Sequence, residues 1–512
     1  MSARKRPREI ATALLALTLG TMIVTLTGAS NVASQLSSTA GIANVKDFRA
    51  VGDGSADDTL AIKRALAAAL RSKGTVYFPP GTYVISETLE ISDTVALVGA
   101  GWGSTLMLRG DVRKVMILVE GQSATGETVG FRASNFALDG NHGGQLDAGL
   151  LQINSAVGFV VDHLWVKNGG RPGESRSRGV AGIAVATKSL TSRLGSRGVV
   201  MNSLIESTTK PGILWSTYAT DGLITGNVIR GLSGNSQTPC LAVSEGRDVT
   251  VAGNSVSGCE GAGISIANGG NNVAPLHAII ANNHAYANGT GSVEGSGIQV
   301  VNAAPDRTVF VEITGNVVYE NRGFADGYGI LVQNVDHIVV KGNIVRSNKR
   351  SGIVLYNVSN GIVEGNYVFG NNTLGTPEHS GIMLHQVSRI HLIGNFVSDD
   401  RPTSTQAYGL FFSGATPSDR VWVTSNVLYP NKHGAWQGHT LPTNSVFIGN
   451  RTADDTQLAV GPPTPAGQLE ITATISGTTS VGRGATAEPG HPALYLNVKY
   501  GGRIYKVPLY NP

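Results

Sequence analysis

The chain has 512 residues, of which 67 are glycine and only 14% are charged, with 41% apolar and 6% aromatic. So little charge beside so much glycine excludes a helix bundle or coiled coil, and Val, Ile and Leu recurring along nearly the whole length exclude disorder. The formal net charge is +4, but Arg4, Lys5, Arg6 and Arg8 outweigh Glu9 at the extreme start, which leaves the body near neutral. No basic stripe is left for a nucleic-acid partner.

That cationic start precedes an apolar run from Ile10 to Leu26 and the small residues Thr27-Gly28-Ala29-Ser30. This is the layout of a secretory signal over 1–30 with cleavage near Ala29; the alternative is an uncleaved anchor, because the run sits at the short edge of what spans a bilayer. A secreted, periplasmic or cell-envelope protein is expected, with a stable membrane span only if the leader is retained. Residues 31–43 read as a linker. Next, Asp57-Asp58-Thr59 can cap a helix running to about Ser72, with Leu60, Ile62, Ala65, Leu66 and Leu70 inward and Lys63, Arg64 and Arg71 outward.

From there the chain is dominated by a repeat. A Gly followed by an apolar residue opens a short strand at Gly149, Gly182, Gly212, Gly263, Gly297, Gly329, Gly352, Gly381 and Gly409, with Cys240-Leu241 filling the missing beat. A second phrase alternates with it, and its Asn recurs at Asn227, Asn254, Asn283, Asn316, Asn343, Asn366, Asn395, Asn426 and Asn450, in steps of 23 to 33 residues. Alternating apolar positions place one strand face inside, and Asn suits both a left-handed turn and a stacked side-chain ladder. Because one coil cannot bury its own inner face, stacking must do so. The predicted fold is all-β: a single-stranded parallel β-helix over 44–460 of about 12 coils, a rod of roughly 60 Å at the usual strand spacing. The helix near 59–72 would cover the exposed strand edges at its start.

Gly461-Pro-Pro-Thr-Pro-Ala-Gly467 reads as a stiff linker. Strands near 468–475, 493–500 and 503–510 then form a small C-terminal β unit within 468–512, the last two joined at Gly501-Gly502. The two cysteines, Cys240 and Cys259, are too few for a disulfide scaffold or a cysteine zinc site; they can pair across neighbouring turns or stay free.

Asn44-Val-Lys-Asp-Phe-Arg-Ala-Val-Gly-Asp-Gly-Ser-Ala-Asp-Asp58-Thr59, Gly74-Thr-Val-Tyr-Phe-Pro-Pro-Gly-Thr-Tyr83, Val95-Ala-Leu-Val-Gly-Ala-Gly-Trp-Gly-Ser-Thr105 and Phe136-Ala-Leu-Asp-Gly-Asn141 resemble the opening of pectate-lyase-superfamily (pectin lyase-like) proteins. The likeness implies a right-handed parallel β-helix. It is nearest in pattern to bacterial alginate (mannuronan) C-5-epimerases and their lyase relatives, but the superfamily also holds hydrolases and tailspikes, so the fold does not choose the activity. The epimerases carry Tyr-Gly-Phe-Asp-Pro-His in an early coil, whereas the corresponding stretch here is Ala181-Gly182-Ile183-Ala184-Val185-Ala186, so no catalytic residue carries over from that motif. Calcium accompanies many lyases, and Ca2+ is a candidate cofactor on that ground, although no carboxylate-dense loop with calcium-ligand spacing occurs.

Residues two and four after the strand-opening Gly point outward. This face is bland through the early coils and then carries Gln333, Tyr356, His385, Phe411 and Trp436, with Asp326, Tyr328, Lys349, Arg350, Glu378, His379 and Tyr408 on the loops entering the strands. Aromatic faces suit sugar rings and cations suit uronate carboxylates. The expected centre has His385 as base, Tyr356 or Tyr408 as proton donor, and Arg350 and Lys349 neutralising the substrate carboxylate. Tyr328, Gln333, His379, Phe411 and Trp436 would bind the sugar, making the protein a lyase- or epimerase-like enzyme on a uronate-containing polysaccharide. Asp326 and Glu378, about 10 Å apart by strand spacing, would serve a hydrolase instead. A non-catalytic surface or tailspike-like binder is the other class, as monomer or homotrimer. Lys210, Asp221 and Tyr218 make a runner-up site.

Overall fold

The computed structural model describes residues 41–452 except 111, 121–127, 173–178, 187–195, 217–218, 233–237, 269–276, 292–294, 303–309 and 441, together with the backbone of 470–471, 494–500 and 503–509. The expected leader and most of its linker, and the linker at 461–467, lie outside these residues. Among the described residues no helix is long and apolar enough to cross a membrane.

Three parallel sheets of 15, 13 and 13 strands run the length of the body. One coil illustrates the path: Asp336–Lys341 in the first sheet, Ile344–Arg346 in the second and Ile353–Tyr356 in the third, after which Ser359–Glu364 returns to the first sheet one rung higher. Each strand pairs in parallel with its counterpart in the next coil, as Ile353, Val354, Leu355 and Tyr356 do with Ile382, Met383, Leu384 and His385. The inward positions merge into one continuous core, from Val76 and Phe78 at the start to Val423 and Phe447 at the end. The fold is a parallel β-helix, as expected.

The Asn ladder is real, and its chemistry is sharper than the spacing alone predicts. In Asn343, Nδ2 donates to Ile313 O at 2.8 Å and to Asn366 Oδ1 at 2.9 Å, while Oδ1 accepts both the backbone N–H and Nδ2 of Asn316. Every polar group of a buried turn is thereby satisfied without water. The left-handed backbone, however, belongs to the residue before the ladder Asn: Gly342 has φ 63° and Gly365 φ 61°, whereas Asn343 and Asn366 have none. Asparagine is selected there for its amide rather than for its turn tolerance. A second ladder, not expected, runs Asn288–Asn321–Asn348–Asn371 and continues through Gln406 to Asn431, on the turn after the second sheet. It fills the space where the third-sheet strands begin, so a Cβ on Gly352 would come within 2.5 Å of Val368 Cγ1 and 2.8 Å of Asn371 Nδ2. Close approach of packed neighbours explains the glycine that opens these strands.

The helix spans Thr59–Ser72. Asp57, not Asp58, accepts from Thr59 N, while Asp58 is buried and accepts from Val51 N and Gly52 N. Ile62, Ala65, Leu66 and Ala69 join the core, but Leu60 is exposed, contrary to expectation, because it falls on the opposite side of the helix from that face. Cys240 and Cys259 form a disulfide across 19 residues with Cα atoms 5.5 Å apart. At the C-terminus, Leu494–Tyr500 and Arg503–Leu509 pair antiparallel, with Glu470–Ile471 on the other edge of Leu494–Tyr500.

Candidate active site on the outer face of the third sheet

Register decides which side chains meet. On the outer face of the third sheet one column reads Gln333, Tyr356, His385 and Ser413; the other reads Leu331, Val354, Met383 and Phe411. The second column is apolar and covered even though it faces away from the core: Val354 is 1% exposed and Phe411 4%. Tyr328 and Tyr408, from the loops entering the strands, pack onto it as a small separate cluster. An apolar ridge therefore divides the face into a leading end, where the strands begin, and a trailing end, where they finish.

At the trailing end Tyr356 and His385 lie face to face, with ring centroids 4.0 Å apart and planes 6° apart. His385 Nδ1 is 3.0 Å from Ser413 Oγ, which is itself 3.5 Å from Leu384 O. If the hydroxyl donates to that carbonyl, it accepts the Nδ1 proton, which leaves the Nε2 lone pair directed away from the sheet. Burial lowers the pKa of His385 and keeps the ring neutral. Such an imidazole is a competent base. Ser413 was missed in the sequence, although it lies four residues after Gly409, at the offset that picked out His385.

The leading end gathers Asp326, Tyr328, Arg350 and His379. Arg350 Nη1 is 2.8 Å from His379 Nε2 and its Nη2 donates to Phe324 O at 3.0 Å, while its Nε is buried without a hydrogen-bond partner. His379 is buried, edge-on to Tyr328 at 5.9 Å, and its Nδ1 sits 3.4 Å from Ser351 Oγ. Burial, then the Arg350 charge, pushes its pKa down to about 4, so the ring is neutral and its Nε2 is occupied by the guanidinium. Burial raises the pKa of Asp326 and of Tyr328, against the opposing pull of Arg350. Perturbed groups clustered around a half-buried cation make this end a candidate functional site. Lys349 packs its ammonium 5.2 Å from the Phe324 ring centroid beside this cluster.

The expected centre is thus two groups rather than one. Tyr408 is the first residue of its strand and Ser413, the partner of His385, is the last. Tyr408 stacks on Phe411 and lies 5.6 Å from His433, away from His385. Arg350 precedes Tyr356 by six residues, up to roughly 20 Å of extended chain. Phe411 is covered, so it forms the ridge and offers no sugar platform. Trp436 also departs from expectation: Gly434 aligns with Tyr408, not with Gly409, so Trp436 pairs with inward-facing Leu410 and packs on Phe447. A one-residue shift in register turned it inward. Gln333 is half-buried beside Tyr356 in the trailing column. Glu378 is exposed and 3.7 Å from His439, while Asp326 is tucked under the loop, so these carboxylates have different surroundings.

Of the runner-up residues, Lys210 is ion-paired with Asp147, and Asp221 is the second residue of a first-sheet strand at φ 54°, on another face. Tyr218 lies outside the described residues. Among the described residues no three His, Cys, Asp or Glu side chains converge. The nearby Asp399 is taken up by Arg401 and by the Thr405 and Gln406 amides. Among the described residues, protein donors alone do not build a calcium site here.

These features define a parallel β-helix with a polar, aromatic outer wall. Residues 42–304, just over half the chain, match the family described as "Rhamnogalacturonase A/epimerase, pectate lyase-like", and the chain belongs to that family. Residues 280–456 match the periplasmic copper-binding protein NosD. Mannuronan C5-epimerase AlgE3 of Azotobacter vinelandii is 44% identical over 113 residues, which is 20% of this chain and 6% of the epimerase. Alginate lyase 7 of the same organism is 38% identical over 140 residues, 25% of this chain and 15% of the lyase. The chain therefore spans a small fraction of these relatives. The A-module of the A. vinelandii epimerase AlgE4 superposes with TM-score 0.51 at 19% identity, covering 80% of this chain and 98% of the module. Bacteriophage phi29 gene product 12 gives 0.60 at 15% identity, covering 83% and 58%. Both show the shared fold.

Proposed function

We propose that this protein is an exported enzyme that acts on a uronate-containing polysaccharide by β-elimination or C5-epimerisation, with its reacting centre at Tyr356 and His385. The observation that carries the proposal is the His385 ring, its Nδ1 within hydrogen-bond distance of Ser413 Oγ and its face stacked on the Tyr356 phenol. The sequence likeness to mannuronan epimerases and alginate lyase supports the substrate class, and the cationic-apolar leader supports export.

In this reading His385 Nε2 takes the proton from C5, α to the uronate carboxyl group. For elimination the C4–O bond then breaks, a C4=C5 double bond forms, and the Tyr356 hydroxyl gives its proton to the departing oxygen. For epimerisation that bond stays intact and water returns a proton to C5 from the opposite face, since Tyr356 and His385 share one side. Arg350, the half-buried cation at the other end of the strands, would anchor the carboxylate of a uronate further along the polymer. Lys349, Tyr328 and Tyr408 would line that end.

The test is incubation of the purified protein with polymannuronate, polyguluronate and polygalacturonate. Ultraviolet absorbance follows the unsaturated uronate, and proton NMR follows the C5 configuration. The proposal expects one of these signals and its loss in His385→Ala. Neither signal with any of the three polymers would overturn it and leave a non-catalytic glycan binder, a reading favoured by the absent Tyr-Gly-Phe-Asp-Pro-His motif.

A further inference from the structure

We propose that the outer face of the first sheet carries a second glycan site, a groove that binds an acidic oligosaccharide around the corner from His385. The groove has a volume of about 460 Å3 and is lined on one side by Phe310 and His337, on the other by Arg389, His391 and Trp422. Its floor includes Val339, Gly361 and Ile362. Such a volume is in the range of small-ligand sites.

Register builds it. Val339, Ile362, His391 and Trp422 are successive members of one outward column. Phe310 and His337 stack at 6.1 Å on one side of Ile362, and His391 and Trp422 stack at 4.4 Å on the other. Between these two ring pairs only an aliphatic side chain and an Asn–Gly pair rise from the sheet, so the floor is lower than its walls. Phe310 and Ile362 are each 40% exposed and so offer apolar surface to a ligand. An apolar floor between ring walls suits the C–H face of a pyranose, with polar groups at the rim for its hydroxyls.

Charge selects an acidic sugar. Three acids along this face are already matched: Asp248 with Arg247 and His277, Asp336 with His337, and Asp419 with Arg420. Glu312 stands beside Val339 at the far rim. Arg389 makes no ion pair within 4 Å among the described residues, although its charge acts on nearby Asp336; its Nε donates to Asn360 Oδ1, and the side chain is exposed at the rim. A guanidinium fork pairs with a carboxylate bidentately. His385 ends its third-sheet strand and Arg389 follows after a two-residue turn, so a polyuronate reaching past His385 would meet the groove next.

Because the site is read by binding without turnover, its failure and that of the proposed reaction are separable. Affinity of the full chain carrying His385→Ala, in which the proposed reaction is abolished, would be measured for polymannuronate and polygalacturonate by calorimetry, with dextran as the neutral polymer. Arg389→Gln and Trp422→Ala should each weaken binding of the better uronan at least tenfold, whereas Arg346→Gln, on the second sheet, should bind as the His385→Ala parent. Arg389 is exposed, so its variant keeps the test alive if Trp422→Ala fails to fold. Unchanged affinity in Arg389→Gln, or equal binding of dextran, would overturn the proposal. So would sedimentation showing that these substitutions dissociate an oligomer in the absence of glycan, since the groove would then hold a second copy of the chain.

Discussion

His385 stacks on Tyr356 with ring centroids 4.0 Å apart, a contact imposed by register, because the two residues are direct partners on adjacent strands of the third sheet. Side by side, a neutral imidazole and a phenol can take and give a proton on the same face of a sugar. Replacing His385 by Ala should lower turnover by about 100-fold or more, the usual share of a general base. Ser413→Ala should cost less and act through the tautomer that Ser413 holds, so kcat would fall while KM stays level. The acid limb of the kcat/KM profile should lie below the ordinary histidine pKa of about 6.5, because burial lowers that of His385. A limb above that value would count against His385 as the base.

Arg350 offers a different readout. It stands at the other end of the strands with its Nε unpartnered. Arg350→Gln should raise KM for long uronans with a smaller effect on kcat, and short oligomers that do not reach it should be spared. Equal losses on short and long substrates would place Arg350 in the chemical step instead.

His379 makes stability depend on pH. Its folded pKa is about 4, below the usual value of 6.5, because of burial and the Arg350 charge. Between these two values the unfolded chain binds a proton that the folded one does not, so stability is full above about pH 6.5 and falls as the pH drops toward 4. Thermal melts of His379→Gln should show a flatter decline over that window than the wild type. An unchanged slope would mean that other groups carry the acid sensitivity.

Within the ladder, Asn343→Ala removes two donors and an acceptor from a buried turn and strands the amide of Asn316. The expected loss is about 3 kcal/mol, the cost of buried unsatisfied groups. Gly342→Ala, at φ 63°, should lose about 1–2 kcal/mol for its left-handed backbone. Denaturant midpoints of the two variants should rank in that order.

The Cys240–Cys259 bridge closes a loop of 19 residues. In the chain-entropy account its removal by a double Ser substitution should cost about 3 kcal/mol. Reductant should then shift the melting temperature of the wild type and leave that of the variant unchanged.

The fold was legible because its determinants are periodic along the chain. The Gly-led strands and the recurring Asn announce stacked coils whatever the length of the loops between them, and even the second ladder can be read afterwards as an Asn five residues beyond the first, at Asn288, Asn321, Asn348 and Asn371. The candidate site was legible only in composition. The named residues fall on or beside the third sheet, yet their grouping into a Tyr356–His385 end and an Arg350–His379 end depends on where along each strand a side chain stands. The inward turn of Trp436 depends on a one-residue shift that no spacing signals.

The first-sheet groove was not legible at all, since Phe310, His337, Arg389, His391 and Trp422 belong to four different coils and share no motif. Local sequence specifies turn, strand and inward face, because each follows from the conformational preference and hydrophobicity of neighbouring residues. Which side chains become partners is decided only when coils dock, because register and loop packing are set by contacts between residues some thirty positions apart.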